Sequence, residues 1–280
     1  MTVEMTDTQH PPRPPLGEAA LTEQVVRPGG LWRGLSVAER TGSTNADLMA
    51  RARAGAPEGL VLAAEEQTAG RGRMGRSWLS PPGAALTFSV LVRPASVPPG
   101  RRGWLPLLAG VAVATAVRQV SGLDALLKWP NDVLLGARKL GGILAEQSGD
   151  AVVVGIGLNV STGRDELPPV GATWLPATSL LLEGSASLDR ELLVRGILAE
   201  AERWYRAWRG THPPGDPQAA GLRDAYLSLC ATIGRDVRVE FPAGKVARGT
   251  ATDLDADGRL VVGTPDGEIT VGAGDVLHVR

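Results

Sequence analysis

What most restricts the fold of this chain is the segment that follows three spaced glycines. Gly70, Gly72 and Gly75 match G-x-G-x-x-G, and the strand-length apolar run "GLVLAAEEQ" precedes them. After a strand, that spacing ordinarily opens the helix of a doubly wound dinucleotide-binding fold, because the helix N-terminus holds the pyrophosphate. Here the next residues are "SWLSPPGAAL", and the consecutive prolines Pro81 and Pro82 bar a helix. No acidic residue follows some 20 positions on, where the sequence reads "SVLVRPAS". A Rossmann turn is therefore excluded, and the glycines need another reason.

Arg71, Arg73 and Arg76 alternate with those glycines. Glycine lets backbone approach a ligand closely, and arginine offers a planar, permanently charged fork. A loop alternating the two suits an anion held by both amides and guanidinia. Gln67 adds an amide just ahead and Trp78 a flat apolar face just behind.

Composition narrows the chemistry. The net charge of −1 over 280 residues argues against a chain that coats nucleic acid, so the arginines are a local device. Cys230 is the single cysteine, which excludes a disulfide framework and a thiolate metal site. His10, His212 and His278 fall in no motif, so a His-based nucleophilic engine or His-ligated zinc is not expected. No apolar run is read as a membrane span and no signal peptide is apparent, which points to a cytoplasmic protein.

Along the chain, residues 1–30 read as a polar, Pro-rich, disordered leader, with order beginning near Leu31. "LSVAER" and "ALTFSVLVR" read as strands. "STNADLMARARAGAP" reads as a helix capped by Ser43 or Thr44. "WLPLLAGVAVATAVRQVSG" is a buried helix ending at Gly122, and four strand candidates follow: "ALLKW", "DVLLG", "LGGILAEQ" and "AVVVGIGLNV". A polar loop covers about 161–177, then a long helix takes Ser187 as its cap. After Cys230, alternating segments with Asp-Gly pairs at 257–258 and 266–267 predict a small antiparallel β unit.

A second cluster, "KWPNDVLLGARKLGGILAE", spans Lys128 to Glu146. Pro130, Asn131 and Asp132 suit a turn between strands, and Asp132 also suits a metal or proton partner. Lys139 precedes two glycines that clear space for it to reach a buried phosphate or carboxylate. Gly155 and Gly157 flatten one face of their strand, leaving room for a planar group, and Asn159 is placed to read a base or ribose edge. Together these suit the joining of a carboxylate to the α-phosphate of ATP, a reaction run by positioning and electrostatics.

"GRGRMGRSW", "KWPNDV", "RKLGGILAE" and "GIGLNV", in this order and spacing, resemble the motifs of biotin protein ligases over about residues 37–280. The resemblance implies an α+β fold: a mixed β-sheet catalytic domain with flanking helices, of the class II synthetase-like biotin/lipoate ligase type, over 31–230. A C-terminal SH3-like small β-barrel would occupy 231–280. It implies that biotin and MgATP form biotinyl-5′-AMP, with transfer to a lysine of the biotin carboxyl carrier domain of an acyl-CoA carboxylase. By motif, Ser43, Thr44 and Gln67 would hold the biotin ring, and Asn45 would belong to the ligand site beside them. Gly70 and Arg71 would meet its chain and carboxylate, and Gly142 and Ile143 would line its pocket. Arg71 and Arg73 would cover the adenylate, Arg76 would contact ATP phosphates, and Lys139 would bond carboxylate and α-phosphate. Trp78, Asn159 and Trp174 would complete the ligand site, the last two at the adenosine. The catalytic set is then Arg73, Lys139 and Asp132, with Asp132 orienting or deprotonating the acceptor lysine and no protein-held metal. About 30 residues before the first strand are too few for the helix-turn-helix of some relatives, so a ligase-only form without nucleic-acid or membrane partners is expected. A homodimer is compatible. Lipoate ligation, with a long apolar slot, and salt-sensitive nucleic-acid binding are the competing readings.

Overall fold

The computed structural model describes residues 11–169, 175–241, 244–272 and 274–279. Seven strands form the central sheet: β1 (Gly34–Thr41), β2 (Leu60–Gln67), β3 (Ala85–Val92), β4 (Ala125–Lys128), β5 (Asp132–Leu135), β6 (Arg138–Ser148) and β7 (Ala151–Asn159). Their order is β1-β2-β3-β7-β6-β5-β4. The β1–β2 pair is parallel, joined through helix α2 (Thr44–Arg53), and the other neighbours are antiparallel. Turns of two or three residues link β4 through β7, which only antiparallel pairing permits.

Side-chain alternation divides the sheet into two faces. Val90, Val92, Val154 and Ile156 share one core with helices α3 (Trp104–Ser121) and α4 (Arg190–Arg209). Leu62, Leu91 and Val153 pack on the opposite side against Leu48, Met49 and Ala52 of α2. β3, central and covered on both sides, is buried at all eight positions. The short α2 leaves the rest of its face open, where Gly155 and Gly157 line a pocket.

Three expectations are corrected. Order begins before Leu31: helix α1 (Glu18–Val25) buries Leu21, and Leu16 ahead of it is buried too. The cap of α4 is Asp189, whose carboxylate accepts from the N–H groups of Glu191 and Leu192, rather than Ser187 two residues earlier. Finally, the helical stretch around α3 is long and apolar enough to cross a membrane, contrary to the reading of the apolar runs. Its burial between sheet and α4 accounts for that composition.

Helix α5 (Leu222–Leu229) leads to a five-stranded antiparallel sheet, the barrel-like C-terminal module: β8 (Asp236–Glu240), β9 (Val246–Leu254), β10 (Leu260–Thr264), β11 (Gly267–Val271) and β12 (Asp275–His278). The two Asp-Gly pairs lie at the β9–β10 and β10–β11 turns. The first turn docks on the catalytic domain: Trp104 Nε1 donates to Ala256 O and Trp129 Nε1 to Gly258 O, both at 3.0 Å. Trp129 N donates to Thr232 Oγ1, which also meets His278 Nε2 at 3.1 Å.

This seam predicts a pH dependence. Burial, reinforced by the positive charges of Lys128 and Arg235, holds the His278 pKa down at about 4, against 6.5 for an ordinary histidine. Between those values the unfolded chain binds a proton that the folded chain refuses, so stability is full above pH 6.5 and falls as pH drops toward 4. Urea unfolding at pH 7 and pH 5 should show a smaller pH difference for His278→Gln than for the wild type. An identical difference would remove His278 from the seam's titration.

Candidate functional site

The pocket on the α2 face is long, and β6 gives its direction. At one end Asn45 Nδ2 donates to Leu144 O at 3.2 Å. At the other, Lys139 N donates to Pro176 O and Lys139 O accepts from Thr178 N, both at 2.8 Å. Five strand residues, about 16 Å, separate Leu144 from Lys139. Pro168, Pro169, Leu175 and Ala177 wall the Lys139 end.

The Asn45 end is a network of hydroxyl and amide groups that ends on the Glu146 carboxylate. Ser43 caps α2, with its hydroxyl accepting from Ala46 N. Gln67 Oε1 accepts from Thr44 N at 2.8 Å, and Thr44 Oγ1 meets Ser89 Oγ at 2.7 Å. Ser89 Oγ donates to Asn45 Oδ1 at 2.7 Å, and Asn45 Nδ2 also donates to Glu146 Oε2 at 2.8 Å. A buried network this fully paired holds its members in fixed orientations. It brings Ser43, Thr44, Asn45 and Gln67 together at the start of α2. Ser89 and Glu146 were missed: a serine inside an apolar strand and a glutamate near a strand end carry no sequence signal.

The Arg/Gly segment is a tight hairpin. Trp78 N donates to Gly70 O at 2.8 Å, Arg71 bridges to Ser77, and Gly72 N donates to Arg76 O at 2.6 Å. At the tip Met74 and Gly75 take left-handed backbone, with φ of 55° and 74°. Gly70 does not line the pocket. A Cβ there would come 2.3 Å from the Trp78 carbonyl, so its glycine serves hairpin closure. Arg71, Arg73 and Arg76 all line the pocket. Burial disfavours the charge of Arg73, while Asp275 and Asp132 favour it. Arg76 forms an ion pair with Asp275 of β12, a partner 199 residues away.

Lys139 Nζ lies 2.5 Å from Asp132 Oδ1, across the β5–β6 turn. Gly142 packs beside this lysine: a Cβ there would make ordinary contact with its Nζ at 3.5 Å. Behind the pair Lys128 is buried, and that burial lowers its pKa, with Asp132 opposing the shift. Gly142 and Gly157 face each other across β6 and β7 and give the pocket a bare floor, with Ile143 alongside. The planar group over Gly157 is the protein's own Trp78, whose Cε2 would lie 2.6 Å from a Cβ added there. The Trp78 indole N–H is buried with no hydrogen-bond partner among the described residues. Asn159 lines the pocket, and its Nδ2 braces the far wall by donating to Thr178 O at 2.9 Å. Trp174 lies outside the described residues.

The site therefore joins a polar end at Asn45 to a cationic region of Lys139 and three arginines, which a wall of apolar residues borders. No group of three His, Cys, Asp or Glu side chains suited to a metal occurs among the described residues. Such a cavity fits a neutral hydrogen-bonding head, an acid tail and a phosphate in line.

Comparisons with known proteins agree with that geometry. Residues 37–161 match the model of the biotin/lipoate A/B protein ligase family, and residues 232–279 match the biotin protein ligase C-terminal domain. The chain is 44% identical to a biotin–[acetyl-CoA-carboxylase] ligase of Mycobacterium tuberculosis, over 96% of this chain and 97% of that protein. It is 33% identical to a ligase of the same name from Paracoccus denitrificans, over 85% of this chain and 98% of that one. The structure of a biotin protein ligase from Aquifex aeolicus in complex with biotin and ATP superposes with a TM-score of 0.71. It is 26% identical, covering 89% of this chain and 100% of that one.

Proposed function

The chain belongs to the biotin protein ligase family, and from that premise we propose how its own residues carry out the reaction. It activates biotin with ATP and transfers it to acetyl-CoA carboxylase. In the first step a biotin carboxylate oxygen bonds to the α-phosphorus of ATP as the bond to pyrophosphate breaks. In the second, the acceptor lysine amine bonds to the acyl carbon and AMP leaves.

The observation that carries the residue assignments is the order of groups along the pocket. The Thr44–Gln67–Ser89–Asn45 network suits the biotin ring, which has N–H donors and a carbonyl acceptor. An apolar slot of the kind lipoate needs would not hold that many paired polar groups. Lys139 and Arg73 lie where the carboxylate and α-phosphate meet, and offset the charge gathered there. Arg71 and Arg76 flank the phosphates. Asn159 and the wall residues Pro168, Pro169, Leu175 and Ala177 take the nucleoside. Mg²⁺ enters with ATP, held chiefly by the phosphates, as is usual for this ion. The acceptor is a biotin carrier domain, and the enzyme works in the cytoplasm.

Asp132 has two partners in sequence. It pairs first with Lys139. Once carboxylate and phosphate oxygens occupy that lysine, Asp132 is available to orient the incoming amine and accept its proton. Asp132→Asn should therefore keep biotin-dependent pyrophosphate release within about threefold of wild type while slowing transfer to the carrier domain about 10²-fold. Equal loss in both steps would make Asp132 a support for Lys139 only. For the whole assignment, pyrophosphate release with ATP and either biotin or lipoate is decisive: biotin alone should support it.

A further inference from the structure

The segment before α1 is tied down far more firmly than its polarity suggests. Pro14 O accepts from Arg190 Nη2 at 2.6 Å, and Leu16 N donates to Glu65 Oε1 at 2.7 Å. Arg190 and Glu65 are themselves an ion pair at 2.8 Å, with the arginine side chain only 5% exposed. Gly17 N donates to Glu191 Oε1 at 2.8 Å. These anchors fix Arg13, which reaches the chain just after β7. Its Nη1 donates to Glu166 Oε1 at 3.0 Å, and its Nη2 donates to Glu166 Oε2 at 2.5 Å and to Ser161 O at 3.0 Å. Glu166 Oε2 also accepts from Gly163 N at 2.8 Å, which closes a small ring of backbone. Both side chains are mostly buried, at 16% and 14% exposure.

Two residues beyond Glu166 come Pro168 and Pro169, part of the pocket wall at the Lys139 end. The residues from 163 to 169 form no strand or helix, and Arg164 and Asp165 are exposed. A bidentate guanidinium–carboxylate pair is directional as well as strong, so it fixes where such a loop sits.

We propose that Arg13 is a positioning residue for the nucleotide: anchored by the N-terminal strap, it clamps Glu166 and so sets the Pro168–Pro169 wall. The inference rests on the ligase reading above and adds a specific part of the chain to it. The wall is remote from the Asn45 network, so biotin binding is untouched by the clamp.

The test uses the full chain. Arg13→Ala should raise the KM for ATP in biotin-dependent pyrophosphate exchange roughly tenfold, the size of one lost charge-assisted contact. Its biotin affinity should stay within about twofold, and its melting temperature within a few degrees. Arg13→Glu alone should be worse, and Arg13→Glu combined with Glu166→Arg should return the ATP KM to within about threefold of wild type. An unchanged ATP KM in a folded Arg13→Ala protein would overturn the proposal. So would a parallel loss of biotin and ATP binding that the charge swap does not repair, which marks a merely structural strap. If Arg13→Ala does not fold, Arg13→Lys and the swap decide in the same way. Absence of biotin-dependent exchange in the wild type would instead sink the ligase reading itself.

Discussion

Lys139→Ala should abolish most adenylate formation while biotin still binds. Two losses combine in this variant. The ammonium that neutralises the reacting oxygens is gone, an effect of about 10²–10³-fold for a single electrostatic donor at a reacting centre. Asp132, 2.5 Å from that ammonium in the native site, is left with its charge beside two incoming anions. Like charges brought together in a partly enclosed pocket oppose substrate entry and the transition state alike. The second loss is separable. Lys139→Ala combined with Asp132→Asn should recover up to about tenfold of exchange activity, because the repulsion is removed while the missing cation is not. Biotin affinity, measured by calorimetry without ATP, should change little, since the ring network lies about 16 Å along β6. Wild-type rates of pyrophosphate exchange in Lys139→Ala would end the assignment.

The second large effect is expected at the opposite end. Gly155→Ala should weaken biotin binding about 30- to 100-fold with the fold intact. A Cβ at this position would sit 2.2 Å from Asn45 Oδ1 and 2.9 Å from its Cγ. Asn45 has no slack to give, because Ser89, Leu144 O and Glu146 hold its amide. Displacing it leaves Ser89 and Glu146 short of a partner inside a half-buried network, worth about 2–3 kcal/mol. A cycle isolates the cause. In an Asn45→Ala background the same Gly155→Ala change should add almost nothing to the loss, since the colliding amide is absent. Additive losses would show that Gly155 acts on biotin directly. Titration calorimetry with biotin reads all four proteins.

These contrasts show what the sequence exposes and what it hides. Strands such as Ala85–Val92 and the helix capped by Ser43 were legible because their signals are local: apolar runs, a cap, a stopping Gly. The cationic middle was legible because Arg, Gly and Lys carry chemistry in the residue type itself. The strap was not. Its helix is only eight residues long and polar, and every anchor, from Glu65 to Arg190 and Glu191, lies far along the chain. The pairing of Arg76 with Asp275 was hidden for the same reason: an ion pair across two domains leaves no periodicity. The α4 cap was misread because Ser187 and Asp189 offer competing oxygens two residues apart, and only backbone geometry chooses between them. Gly157 was correctly read as making room for a flat group, but composition does not say whether ligand or Trp78 takes it.

The apolar helix at the centre has a cost during synthesis. Trp104–Ser121 leaves the ribosome well before its cover, since α4 ends at Arg209, roughly 90 residues and about 5–20 s of translation later. Through that interval a segment with the make-up of a membrane span is shielded by nothing but the nascent strands around it. Slowed elongation past Ser121, or a cell short of chaperones, should therefore send this chain into aggregates or onto lipid well before it harms the finished enzyme.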